Sequence, residues 1–210
     1  MDDHVRALSS KVAKADSVTI VLTHGHADHA ASAGRLSRLI GAEVMGPRGI
    51  ESVTRILADG ATVATDRGDL VAMETPGHTR EHLAFHWPER SAVFVGDLLL
   101  GRGDTTWVAE YRGCVADYLR SLERLRLLNA RVLYPTHGPA LTDSVEALDR
   151  FERHRRDRIE QVRAAREARP GADAETLVEL VYGDAIPKSM RGAALQSLTA
   201  IVDYLDDPLV

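Results

Sequence analysis

The chain holds a single cysteine, Cys114, among its 210 residues. An internal disulfide and a thiolate-rich zinc site are therefore excluded, and the scarcity fits a reducing compartment. No apolar run approaches the ~20 residues that a membrane span requires. Aromatic residues make up only 5% of the chain, and no tandem of aromatic and basic residues marks a stacking platform for single-stranded nucleic acid. A basic excess is also missing: the net charge of −5 argues against a dedicated nucleic-acid binder. The opening Met1-Asp2-Asp3-His4 has no apolar core, so it does not read as a signal peptide. The expectation is a soluble, cytoplasmic protein with no membrane partner.

What is present is ordinary globular material. Hydrophobic residues make up 44% and charged residues 27%, enough for one sizeable core with a small appendix. There is no internal repeat and no low-complexity tract. The pattern predicts a helix over 5–15, a strand over 18–22, a helix over 30–40, a short strand over 43–45 and a helix over 49–58. Four β-runs follow, at 62–64, 70–74, 83–87 and 92–95, separated by turn residues such as Asp66-Arg67-Gly68 and Pro76-Gly77. An amphipathic helix is expected over 115–128 and a last strand over 131–134. Asp143, with Glu146 three residues on, caps a long helix to about 169, and helices near 173–182 and 189–206 close the chain.

The chemistry concentrates in Thr23-His24-Gly25-His26-Ala27-Asp28-His29. Four metal-capable side chains fall within six residues, at the turn between a strand and a helix. Imidazole nitrogen with carboxylate oxygen is a donor set that zinc favours, and Gly25 and Ala27 leave room for a tight loop. Three further candidates each follow a β-run beside Gly or Pro: His78 in Pro76-Gly77-His78, Asp97 in Gly96-Asp97, and His137 in Pro135-Thr136-His137-Gly138. Strand-end loops on a rigid sheet are where sites are commonly built, so four such loops are expected to converge at one edge.

His24-x-His26-x-Asp28-His29 after a strand resembles the signature of the metallo-β-lactamase superfamily, and the later Gly-His, Asp and His fall in that family's order. The resemblance implies an α/β fold, an αββα sandwich with the metal site at one edge. It assigns His24, His26 and His78 to one metal and Asp28, His29 and His137 to a second, with Asp97 bridging. The implied cofactors are two zinc ions, with manganese or iron as substitutes. Two dications about 3.5–4 Å apart share a hydroxide, and Asp28 orients it as the catalytic carboxylate. The implied reaction is metal-assisted hydrolysis without a covalent intermediate.

The tail narrows the resemblance. His154-Arg155, with Arg158, Gln161 and Val162, and then Leu180-Val181-Tyr182, resemble the branch that includes the mitochondrial β-lactamase-like endoribonuclease with its winged-helix-type appendix. That implies a catalytic domain over 1–142, a helical appendix over 143–210, and single-stranded RNA as substrate. The alternative is a glyoxalase II-like thioesterase or lactone hydrolase acting on a small ester or thioester. A further alternative is a non-catalytic, truncated metal-binding protein. Members of the family usually begin with further strands ending in Asp-x-Gly, and these are missing here. The apolar run 18–22 is of a kind paired and covered on both sides. Lacking one neighbour, it is expected to present an edge through which the chain self-associates. His82 and His86 are expected to be structural, and His4 and Cys114 incidental. Thr105-Thr106-Trp107 and Tyr111 form either a substrate wall or ordinary core.

Overall fold

The computed structural model of the chain describes residues 2–207. The helices are α1 (Asp2–Val12), α2 (Ala27–Ala30), α3 (Ala33–Ile40), α4 (Cys114–Arg126), α5 (Ser144–Ala168), α6 (Ala174–Tyr182) and α7 (Arg191–Asp206). A parallel sheet joins β1 (Thr19–Val21), β2 (Glu43–Gly46) and β3 (Arg55–Ile56) in that order. A second sheet joins β4 (Thr62–Val63), β5 (Leu70–Glu74), β6 (Leu83–Trp87), β7 (Ala92–Gly96) and β8 (Val132–Pro135). It is antiparallel as far as β7; β8 joins parallel to β7, and α4 supplies the crossover that such a pair requires.

The two-residue period of the strands decides the layers. On β2, Val44 packs with Leu22 and Ala33 beneath α3. Its neighbour Met45 points the other way and meets Leu57, Val63, Ala72, Leu83 and Phe85 between the sheets. On β5 and β6, Met73 and Ala84 take the opposite face from Ala72 and Leu83 and join Leu122, Phe151 and Leu198 under the helices. The result is a helix–sheet–sheet–helix sandwich. The last of these cores runs without a break from Leu133 on β8 through Phe151 on α5 to Ile201 on α7. The tail thus shares one core with the second sheet, its helices α5 and α7 packing against α4. Its first helix begins as expected, with Asp143 Oδ1 accepting the Glu146 N–H at 3.0 Å. Among the described residues no strand follows β8, so the tail is helical and carries no wing.

Three expectations change. Residues 49–58 form turns and β3 rather than a helix. The Thr54 N–H donates to Val44 O, and the Thr54 hydroxyl bridges the N–H and C=O of Val44, so the segment's hydrogen bonds go to β2 instead of to itself. The helix expected over 30–40 is divided into α2 and α3 at Ala31-Ser32. The run 18–22 is not covered on both faces: Thr19 is exposed and Ile20 and Val21 are half-buried. β1 is an edge strand bonded to β2 alone, and α1 packs against α3.

Candidate metal centre

All seven expected residues meet at one end of the sandwich. His24, His26, Asp28 and His29 leave β1, His78 follows β5, Asp97 follows β7 and His137 follows β8. Backbone bonds tie these loops together. Thr23 O accepts the Leu83 N–H at 2.8 Å, Gly96 O accepts the Thr136 N–H at 3.1 Å, and His137 O accepts the Gly101 N–H at 2.8 Å. Three groups of ligand atoms lie mutually within 4.8 Å: His24, His26 and His78; His24, His29 and Asp97; and Asp28, His29 and His137. Asp97 Oδ2 sits at the centre, 3.4 Å from His29 Nε2, 3.5 Å from His137 Nε2 and 3.8 Å from His78 Nε2.

The donor atoms are aimed at one another, and several have no hydrogen-bond partner. His78 Nδ1–H donates to Trp107 O at 2.9 Å, which leaves Nε2 as a lone pair. His26 Nε2–H donates to Glu110 Oε1 at 3.1 Å, which leaves its Nδ1 as a lone pair. Those two lone pairs face each other at 3.1 Å, an arrangement that a shared cation relieves. His24 Nε2, His29 Nε2 and Asp97 Oδ1 are buried and have no hydrogen-bond partner. Buried polar atoms are rarely left so, and a constellation of them is what a metal-binding site looks like to its own side chains. The set therefore fits a pair of divalent cations.

The electrostatics agree with that role. Burial, then the neighbouring His29 and His78, push the His24 pKa down to about 3, so its ring stays neutral and free to ligate. Burial lowers His78 as well. Burial raises the Asp97 carboxyl, but His29, His78 and His137 outweigh it and hold the group below its ordinary value, ionised. His29 runs the other way: burial is outweighed by Asp97 and Asp28, the net shift is upward, and the ring must give up its proton to ligate.

A belt of residues that are not ligands holds the donors. His82 is buried; its Nδ1 bonds Thr75 Oγ1 at 2.9 Å and its Nε2 accepts the Asp97 N–H at 3.2 Å. Burial, first, and the surrounding histidines drive its pKa far down, so it is a neutral brace, in keeping with the structural role expected of it. Gly96 has φ +54°, and a Cβ there would lie 2.5 Å from that same His82 Nε2. The 105–107 segment proves to be a bracket: Thr106 Oγ1 donates to Asp97 O at 2.7 Å, and Trp107 O receives His78. Cys114 lies in the core, and His4 is exposed on α1.

A profile of the metallo-beta-lactamase superfamily matches residues 7–137. The chain belongs to that superfamily. It is 30% identical over 217 residues to a beta-lactamase-like protein 2 homolog of Caenorhabditis elegans, covering 97% of this chain and 70% of that one. An atrochrysone carboxyl ACP thioesterase of Aspergillus fumigatus is 32% identical, over 59% of this chain and 39% of its own length. A hydroxyacylglutathione hydrolase of Hyphomonas neptunium is 33% identical, over 55% of this chain and 46% of its own. The chain thus spans less than half the length of these last two relatives. Among solved structures, a metallo-beta-lactamase family protein from Thermus thermophilus superposes with a TM-score of 0.77 at 23% identity, over 97% of this chain and 80% of that one, a likeness of fold.

Two features of this superfamily member escaped the sequence. Arg155, on a helix whose charge pattern reads as solvated, is 2% exposed and points into the core. Its neighbours along α5 are engaged as well: Arg150 with Glu146, Arg156 with Glu152, Arg166 with Asp206, and Arg158 stacked 4.4 Å over Tyr182. Glu110 was not singled out at all. It lies 84 positions from His26, and its only sequence signal is a place in the loop after Asp97. A carboxylate on the far nitrogen of a ligating histidine fixes its tautomer and raises its basicity. Glu110→Ala is therefore expected to weaken metal binding by about 10–100-fold at one of two sites. Competition with a chromophoric chelator reads this directly; two unchanged affinities would remove Glu110 from that role.

Proposed function

We propose that the chain is a two-metal hydrolase of acyl thioesters. His24, His26 and His78 would hold one dication and Asp28, His29 and His137 the other, with Asp97 available to both groups. The observation that carries this reading is the convergence of buried, partnerless donors: His24 Nε2, His29 Nε2 and Asp97 Oδ1. When bound, two such cations lower the pKa of water towards about 7 and polarise the acyl carbonyl. A set of nitrogen and oxygen donors without thiolate suits zinc, and iron or manganese by substitution.

The residues do the rest. Asp28 is the most open of the carboxylates here, with 59% of its side chain accessible, and its Oδ2 lies 3.1 Å from His137 Nε2. It accepts a hydrogen bond from the attacking water and orients it, in the manner of a general base. His78 and Trp107 O, with His26 and Glu110, keep two imidazoles in the tautomers that ligation requires. No side-chain nucleophile is called for.

The thioester is favoured by the relatives named as a thioesterase and a hydroxyacylglutathione hydrolase. Single-stranded RNA ranks behind it, because that reading leaned on Arg155 and Arg158, of which the first is buried and the second is stacked on Tyr182. The test follows thiol release from short S-acyl thioesters beside cleavage of a labelled single-stranded RNA. Thiol release should appear, vanish with a chelator and return with zinc, while the RNA stays intact. Cut RNA with untouched thioester would overturn the substrate assignment, and indifference to the chelator would overturn the metal reading.

A further inference from the structure

His154-Arg155 on α5 has no part in the chemistry described so far, yet Arg155 is among the more costly residues in the molecule. Its guanidinium is buried, and among the described residues it has no carboxylate partner. Nη2 donates to Thr106 O at 3.2 Å, Nε has no partner, and the group lies 5.4 Å over the ring of Tyr118. A buried cation without an anion costs several kcal/mol, and hydrophobic replacements of such groups are often neutral or stabilising. Packing alone therefore does not account for an arginine at this position.

Its single directed bond ends at the bracket of the metal centre. Thr106 accepts from Arg155 at its carbonyl and donates from its hydroxyl to Asp97 O at 2.7 Å. The next carbonyl, Trp107 O, receives His78 Nδ1–H at 2.9 Å. Two adjacent residues thus hold the backbone of the central aspartate and the ring of one of the histidines, and Arg155 holds the first of them. Beside it, His154 Nε2 lies 3.9 Å from Asp104 in the same loop. The loop from Asp97 to Gly113 is otherwise without helix or strand, so its geometry depends on such points.

We propose that Arg155 is a positioning residue, the anchor on α5 that fixes Thr106 and Trp107 and, through them, Asp97 and His78. The inference rests on the two-metal reading above. Its role is exerted on ligand geometry, so it shows in metal affinity as well as in turnover. Arg155 reaches no reacting atom; it lies one residue removed from those that do.

Arg155→Met keeps the volume and deletes the donors. It is expected to fold with a melting temperature at or above that of the parent, and to bind the weaker of two zinc ions about 10–100-fold less tightly, the range for residues that orient ligands. Cobalt substitution should show a changed d–d spectrum. Arg155→Lys, which can still reach a carbonyl, should recover part of the loss. Thr106→Val cuts the link to Asp97 while leaving Arg155 in place, and should reproduce the weaker affinity even if the methionine variant fails to fold. Leu198→Ala, a core cavity on α7 that removes no hydrogen bond of the bracket, is the control for plain destabilisation. Unchanged zinc affinities in Thr106→Val and in folded Arg155→Met would overturn the proposal, as would an equal loss in Leu198→Ala. Were the parent itself to bind no metal, the two-metal reading would fail instead, which separates the two outcomes.

Discussion

For the two-metal thioesterase proposed above, Asp97→Ala is expected to lower hydrolysis by about a thousandfold and to release at least one metal. Asp97 is the carboxylate that reaches both sides of the centre, with Oδ2 3.8 Å from His78 Nε2 and 3.5 Å from His137 Nε2. Two dications repel with four times the energy of two unit charges at the same separation, and that repulsion is steep at about 3.5–4 Å. An anion between them offsets it; alanine provides none. Loss of several kcal/mol of electrostatic stabilisation, at about 1.4 kcal/mol per decade, gives the thousandfold figure. Asp97→Asn separates charge from shape, since it keeps an oxygen and the volume. It should resemble alanine in rate and metal content, because the charge is what is missing. Steady-state kinetics and metal analysis of both variants decide it, and two retained metals with parental turnover would remove Asp97 from the centre.

The place of Asp97 was readable from the sequence because Gly96-Asp97 ends an apolar run, and the same holds for His78 and His137; the role between two metals came from the family resemblance. Each ligand sits where a strand stops, and a strand's end is fixed by a short-range pattern. The opening cluster is denser still, and four of the seven residues come with it. The layers came from the family resemblance, and the structure supplies their physical reason: Val44 and Met45, or Ala72 and Met73, take opposite faces of their strands. What stayed hidden depends on distant partners. Thr54 is drawn into the edge of β2 by bonds to Val44, and no window of ten residues contains both. Glu110 matters because His26 lies beside it, and Arg155 because the chain folds Thr106 under α5. A charged helix reads as solvated by composition; that one of its arginines turns inward is decided by the bracket it meets.

Gly77→Ala is expected to cost both stability and metal affinity. Gly77 precedes His78 with φ +137°, and a Cβ there would lie 2.6 Å from Tyr118 Cα and 2.8 Å from Tyr118 N. The obstacle is the backbone of α4, which cannot swing aside as a side chain can. It is held there by Ser121 Oγ donating to Pro76 O at 2.7 Å and Arg124 Nη1 donating to Glu74 O at 3.0 Å. The substitution therefore carries about 1–3 kcal/mol of backbone strain and about 1–3 kcal/mol of overpacking, against a total stability of about 5–15 kcal/mol. A fall in melting temperature of about 10 °C follows for a chain of this size. Metal affinity should fall with it, since His78 moves with the loop and Tyr118 lies beneath Arg155. Gly49→Ala supplies the comparison: φ there is +96°, but nothing lies within 4 Å of the added methyl, so strain acts alone. Thermal melts with and without zinc should show a much larger loss for Gly77→Ala, and a zinc-dependent stabilisation that is reduced there but intact in Gly49→Ala. Equal losses in the two would mean that α4 yields to the methyl, and that its approach to the end of β5 is not what places His78.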